Sequence, residues 1–175
     1  NWVELETVWQ LLERMLGYGL NPTLVTYSSI IAGFCKAKRL EEACVLLDHM
    51  CGKGISPNEE IYTMLIKCSC DTKLFKKALS FVSNMMDCGF QPHLESYQYL
   101  ITGLCDEGNY DKAKSLFYDL LGMDYNHNEV VWKILNDGLL KAGHVDICSK
   151  LLSAMENRHC HINSQTYAMV TNNMH

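Results

Sequence analysis

The stretch Val25-Thr26-Tyr27-Ser28-Ser29-Ile30-Ile31-Ala32-Gly33-Phe34-Cys35-Lys36 decides the fold. Tyr27, Ile30, Ile31 and Phe34 fall at i, i+3, i+4 and i+7, which places them on one stripe of an α-helix. Ala37-Lys38-Arg39 is a short polar break. Leu40, Ala43, Leu46, Leu47 and Met50 then form a second stripe of the same kind. Gly54 stops that helix and Pro57 prevents its continuation. The segment therefore predicts an antiparallel helix pair closed by a short turn.

The same pattern recurs outward from this unit in a fixed step of 35 residues. The step links Tyr27, Tyr62, Tyr97, Trp132 and Tyr167, and it links Ile30, Leu65, Leu100 and Leu135. It links Ala43, Ala78 and Ala113, with Cys148 next in line, and Met50, Met85, Leu120 and Met155. It also links Pro22, Pro57 and Pro92, the only three prolines. So many registers without insertion or deletion identify an internal repeat. The units are 24–58, 59–93, 94–128 and a degenerate 129–163. Residues 1–23 fit the second helix of a preceding unit, and 164–175 the first helix of a following one. Both ends cut through a repeat, so the stretch is expected to be part of a longer array. A single hairpin cannot bury its apolar face, so neighbours are expected to stack into an all-α solenoid.

Bulk properties narrow the function classes. The chain has 175 residues, is 48% hydrophobic and carries a net charge of −5. Disorder is excluded by that hydrophobicity, and no apolar run reaches the roughly 18 residues of a membrane span. Nine cysteines, an odd number, sit on apolar helical faces without metal spacing, which indicates free thiols. Cys35, Cys70 and Cys105 read as small core residues. His159-Cys160-His161 is too compact to converge on one metal ion unaided. No phosphate-binding glycine loop, nucleophile motif or paired acid/base couple is present. The expectation is a non-enzymatic chain with no metal, cofactor, membrane segment or small-molecule substrate.

The 34-residue tetratricopeptide repeat shares the hairpin but has a different length and signature. The 35-residue step, with Gly33-Phe34-Cys35-Lys36, Arg39-Leu40-Glu41-Glu42-Ala43 and Gly54-Ile55-Ser56-Pro57-Asn58, resembles the pentatricopeptide repeat instead. The resemblance covers the whole chain and is strongest at 24–58. It weakens after about Leu121, where Asp124 and His159 replace the exit glycine and His127 and Ile162 the proline.

This resemblance implies a right-handed superhelical solenoid that binds single-stranded RNA in a mitochondrion or, alternatively, a chloroplast, one base per repeat. In the family, the fifth and last residues of a unit read the base. The second residue wedges between bases, and a lysine ending the first helix meets a phosphate. Carried over, Ser28 with Asn58 is an adenine-favouring pair, with Val25 as wedge and Lys36 at the phosphate. The next unit pairs Thr63 with His93 but has Glu60 at the wedge and Asp71 at the phosphate position. The third pairs Gln98 with Asn128, with Glu95 and Asp106 in those places. The fourth pairs Lys133 with Asn163 and regains Val130 and Lys141. Acids in the wedge or phosphate positions repel a phosphate backbone.

Charge follows the same division. Unit 24–58 has Lys36, Lys38, Arg39 and Lys53 against Glu41, Glu42 and Asp48, a net +1. Unit 94–128 has Lys112 and Lys114 against Glu95, Asp106, Glu107, Asp111, Asp119 and Asp124, a net −4. Phosphate attraction is therefore expected to be strongest near the start and to fail in the third unit. The eroded, acidic positions motivate an alternative in which the segment is a protein-binding scaffold within an organellar ribonucleoprotein such as a mitochondrial ribosome.

Overall fold

A computed structural model describes residues 2–122, 129–141, 143–157 and 164–172. Among these residues every regular element is an α-helix. In order they are α1 (Trp2–Gly17), α2 (Leu24–Lys36), α3 (Leu40–Gly52), α4 (Glu59–Asp71) and α5 (Phe75–Asp87). Then follow α6 (Leu94–Asp106), α7 (Tyr110–Gly122), α8 (Glu129–Lys141), α9 (Val145–Asn157) and α10 (Ser164–Asn172).

The helix ends follow from local chemistry. Asn58 caps α4, its side-chain oxygen accepting the Ile61 N–H at 3.1 Å. At the start of α2 the Thr23 N–H donates to Thr26 Oγ1 at 3.1 Å. Two residues beyond the ends of α1, α3 and α5 stand Gly19, Gly54 and Gly89, each with positive φ. The residue after each glycine donates back to the helix, as in Ile55 N–H to Met50 O at 3.1 Å and Phe90 N–H to Met85 O at 3.0 Å.

The chain divides into two compact units, residues 1–91 and 92–175. In the first, α2 pairs with α3 and α4 with α5 as hairpins, while α2 and α4 stack side by side. The core is made by Tyr27, Ile31 and Phe34 on α2, Leu46 and Met50 on α3, Ile61, Leu65 and Ile66 on α4, and Phe81 and Met85 on α5. Ala43 and Ala78 are fully buried, and their small size lets paired helices approach closely. In the second unit α6 pairs with α7 and α8 with α9, α6 stacks on α8, and α10 packs on α8 and α9. Here Tyr97, Leu100, Ile101, Phe117, Trp132, Leu135, Leu151 and Met155 form the core, with Ala113 and Cys148 fully buried at the small-residue register.

Two expectations need adjustment. Tyr167 keeps the aromatic register but is 46% exposed, because no described helix packs on the outer side of α10. The described cysteines are free, but they do not all lie on apolar faces. Cys68, Cys105 and Cys148 are buried and Cys35 and Cys70 half-buried, whereas Cys51 and Cys88, at helix C-terminal ends, are exposed. The His159-Cys160-His161 cluster lies outside the described residues. Among the described residues no group of three or more side chains could hold a metal ion, and no helix is long and apolar enough to cross a membrane.

Candidate nucleic-acid interface

The stacking of α2 on α4 builds a groove whose walls are two parallel helical stripes. Ser28, Ala32 and Lys36 succeed one another at i, i+4 and i+8 on α2, and Thr63, Lys67 and Asp71 do so on α4. Such spacing keeps each trio on one face. Toward the C-terminal ends of the two helices the groove widens to about 350 Å³, lined by Ala32, Cys35, Lys36, Lys38, Met64, Lys67, Cys68 and Asp71. Ser28 and Asn58 lie at the opposite, N-terminal ends of α2 and α4. Eight residues of helix separate Ser28 from Lys36, about 12 Å along the axis.

Each side chain at the N-terminal end has a distinct local state. Val25 is 72% exposed, an apolar side chain in the first turn of α2 that the fold does not use. Ser28 is half-buried. Its neighbour Ser29 donates to Val25 O at 2.9 Å, whereas Ser28 makes no such bond and keeps both donor and acceptor capacity. Asn58 uses its carbonyl oxygen for the α4 cap, so its amide N–H groups are what it offers a ligand. Thr63 donates its hydroxyl to Glu59 O at 2.9 Å, which leaves it chiefly an acceptor.

The electrostatics of the wide end are set by lysines around one acid, Asp71. Burial pushes the Cys35 thiol up to about 12, with further increments from Cys68 and Cys44, and burial also raises Cys68. The groove floor is therefore neutral at physiological pH and does not offset the lysine charge.

The remaining sequence-derived positions are more scattered. His93 directly precedes α6, is exposed, and belongs to the unit 92–175, whereas Thr63 belongs to 1–91. Gln98 is half-buried on α6 and Lys133 exposed on α8. Glu60, Asp71, Glu95 and Asp106 are all exposed, so their charges face solvent rather than being neutralised in the core. Asn128 and Asn163 lie outside the described residues, as do the side chains of Val130 and Lys141. Lys38 and Lys67 line the groove although sequence reasoning did not assign them to it. Lys38 read as part of a polar break, and Lys67 was not singled out. The i, i+4 relation of Lys67 to Thr63 and Asp71 was the available signal.

Comparison with known proteins gives a consistent picture. The model of the PPR repeat family matches residues 22–71 and 57–106, and that of the PPR repeat matches 95–125. No curated protein sequence matches the chain. Among solved structures, the pentatricopeptide repeat protein PPR10 from maize is similar over 95% of this chain and 23% of its own length, with a TM-score of 0.73 and 19% identity. PPR10 in complex with an 18-nt psaJ RNA element matches over 87% of this chain and 22% of that one, with a TM-score of 0.58 and 20% identity. The PPR domain of Arabidopsis thaliana protein-only RNase P 1, in complex with tRNA, matches over 98% of this chain and 90% of that one, with a TM-score of 0.67 and 17% identity. At these identities the likeness is one of fold. The chain spans less than a quarter of the length of the maize protein.

Proposed function

The chain belongs to the pentatricopeptide-repeat family, and on that premise we propose that it is a non-catalytic module that binds single-stranded RNA. The RNA lies along the first helices, with one base addressed per repeat. The carrying observation is the coincidence on α2 and the start of α4 of a largely exposed valine, a serine with a free hydroxyl, and an asparagine amide, at one end of a groove whose other end is lined by lysines, Lys36 lying about 12 Å from Ser28 along the helix axis. Val25 supplies an apolar surface on which base faces pack. Ser28 and Asn58 offer short polar groups to a base edge, favouring adenine, and Lys36 meets the backbone.

The remaining assignments belong to the same proposal. They are Thr63 with His93, Gln98 with Asn128 and Lys133 with Asn163 as base-facing pairs, Val130 as a second wedge and Lys141 as a second phosphate contact. The site of action is an organelle, the mitochondrion rather than the chloroplast, and the role is in RNA processing, stability or translation. Two of the fold relatives were solved with RNA bound, which supports the reading without assigning a target. The test is binding of the purified chain to labelled single-stranded and double-stranded RNA at low and near-physiological salt. Preference for the single strand with a steep salt slope is expected. Equal or absent binding to both overturns the proposal.

A second reading rests on Glu60, Asp71, Glu95 and Asp106, exposed acids at positions where phosphate contact is unfavourable. Under it the segment is a protein-binding scaffold in an organellar ribonucleoprotein such as a ribosome. Loss of all RNA binding at physiological salt favours it.

A further inference from the structure

Four hairpins of this chain place a left-handed residue at the same point of the turn between their two helices. Gly108 (φ 72°) and Gly143 (φ 80°) hold it in the later two, and Lys38 (φ 57°) and Lys73 (φ 59°) in the first two. A residue with a Cβ pays a steric penalty in this conformation that glycine avoids. Lysine is thus a costly choice at both positions, and such strain is a reason to look for a use of the side chain.

The surroundings of the two lysines differ. Lys38 follows Lys36 by two residues, and both line the 350 Å³ groove with Lys67 reaching it from α4. The groove holds one acid, Asp71, and a floor that includes the Cys35 and Cys68 thiols, which burial keeps neutral. Lys73 occupies the equivalent turn of the next hairpin and does not line this groove.

We propose that Lys38 and Lys67 join Lys36 in a three-lysine cradle for one backbone phosphodiester of single-stranded RNA, at the junction of units 24–58 and 59–93. This inference rests on the RNA-binding reading and deepens it. The phosphate is held by side chains from two successive repeats rather than by one lysine at the end of a helix. Each ammonium is a point charge on a flexible stem, suited to a phosphate that shifts as the strand adjusts. The left-handed turn carries Lys38 back over the groove after the helix has ended.

The test compares Lys38→Gly, Lys67→Gln and Lys73→Gly for binding to a fluorescently labelled oligoadenylate over a salt series, with thermal melting in parallel. Lys38→Gly relieves strain, so it melts higher than the parent while binding about five-fold more weakly at low salt. Its log–log salt slope is shallower by about 0.7, the value for one phosphate contact on a single strand. Lys67→Gln weakens binding and flattens the slope likewise. Lys73→Gly melts higher but binds as the parent does. Unchanged affinity and slope in Lys38→Gly, or an equal loss in Lys73→Gly, overturns the cradle. The RNA-binding reading fails separately, if the parent chain itself does not bind, and that result removes the cradle with it.

Discussion

Gly138 on α8 lies so close to Cys105 on α6 that a Cβ at residue 138 would sit 2.8 Å from Cys105 Cβ and 2.9 Å from its Sγ. The stacked first helices of the second unit meet at this point, and there is no space for a side chain. Gly138→Ala should therefore destabilise the chain by about 1–3 kcal/mol, the usual cost of overpacking, despite alanine's better helix propensity. Gly33 occupies the same register on α2, but a Cβ there meets nothing within 4 Å. Gly33→Ala should stabilise by about 0.5–1 kcal/mol. Denaturant melts of the two variants check the pair, and a shift of the same sign in both contradicts the packing argument.

Asn136 offers a route to greater stability. It is 1% exposed, and neither its side-chain oxygen nor its nitrogen has a hydrogen-bond partner among the described residues. The same register holds Ile31, Ile66 and Ile101, each fully buried. Asn136→Ile should raise stability by about 1–3 kcal/mol, through loss of an unsatisfied amide and gain of apolar burial. A lower melting temperature in that variant would show that the amide is satisfied in solution.

The repeat was legible in the sequence because helical stripes and a constant 35-residue step leave few alternatives. Tyr27, Ala43, Met50 and their successors as far as Trp132, Cys148 and Met155 mark buried positions directly in a one-letter sequence. The consequences of stacking are harder to read. Cys68 stands at the register of Gly33 and Gly138, and Cys35 at that of Cys105, so the contact made by Gly138 with Cys105 brings two thiols together in the first unit. That meeting is invisible until neighbouring helices are placed side by side. The role of Asn58 was similarly double. It is the last residue of one unit and, by geometry, the N-cap of the next helix. Lys67 escaped notice because its place on the groove wall depends on which face α4 turns toward α2, and Lys38 because a positive φ is not written in its residue type.

Thiol reactivity should separate by burial. Cys35 and Cys70 are pushed up to about 12, chiefly by burial, and Cys105 and Cys148 to about 11. Almost no thiolate exists at these positions at neutral pH, and the thiolate is the reactive species. Among the described thiols, maleimide at pH 7 should label Cys51 and Cys88 first, since both are exposed. Mass mapping of the labelled sites checks the order, and early labelling of Cys35 or Cys105 contradicts it.

His49 should make stability depend on mild acid. Its Nδ1 and the Tyr27 hydroxyl are 2.9 Å apart, and Trp9 contacts its ring edge-on at 4.6 Å between centroids. Burial lowers its pKa, and Lys53 lowers it further. Below about pH 6.5 the unfolded chain therefore takes up a proton that the folded chain resists. Stability from this source is complete above that pH and declines as pH falls through the window toward the folded value. His49→Phe should flatten the dependence between about pH 7 and 5.5. A parent profile that rises toward acid would reverse the sign and reject the assignment.

Asp71 opposes the lysines of the α2–α4 groove. Asp71→Asn removes one repulsive charge from the proposed phosphate path and should tighten oligoadenylate binding about two- to five-fold at low salt, fading as salt is added. Unchanged binding would place the RNA backbone away from this groove.

The proposed reading of one base by Ser28 and Asn58 can be tested directly. The direct measurement is sequencing of the RNAs retained from a randomised single-stranded pool by the parent chain and by the double variant Ser28→Ala, Asn58→Ser. Serine preserves the cap on α4 while removing the amide, so any change reports recognition rather than folding. Adenine enrichment at one position is expected for the parent, and its loss in the variant, with the salt slope kept. An identical base profile for the two proteins, or no retained RNA at physiological salt, would contradict it.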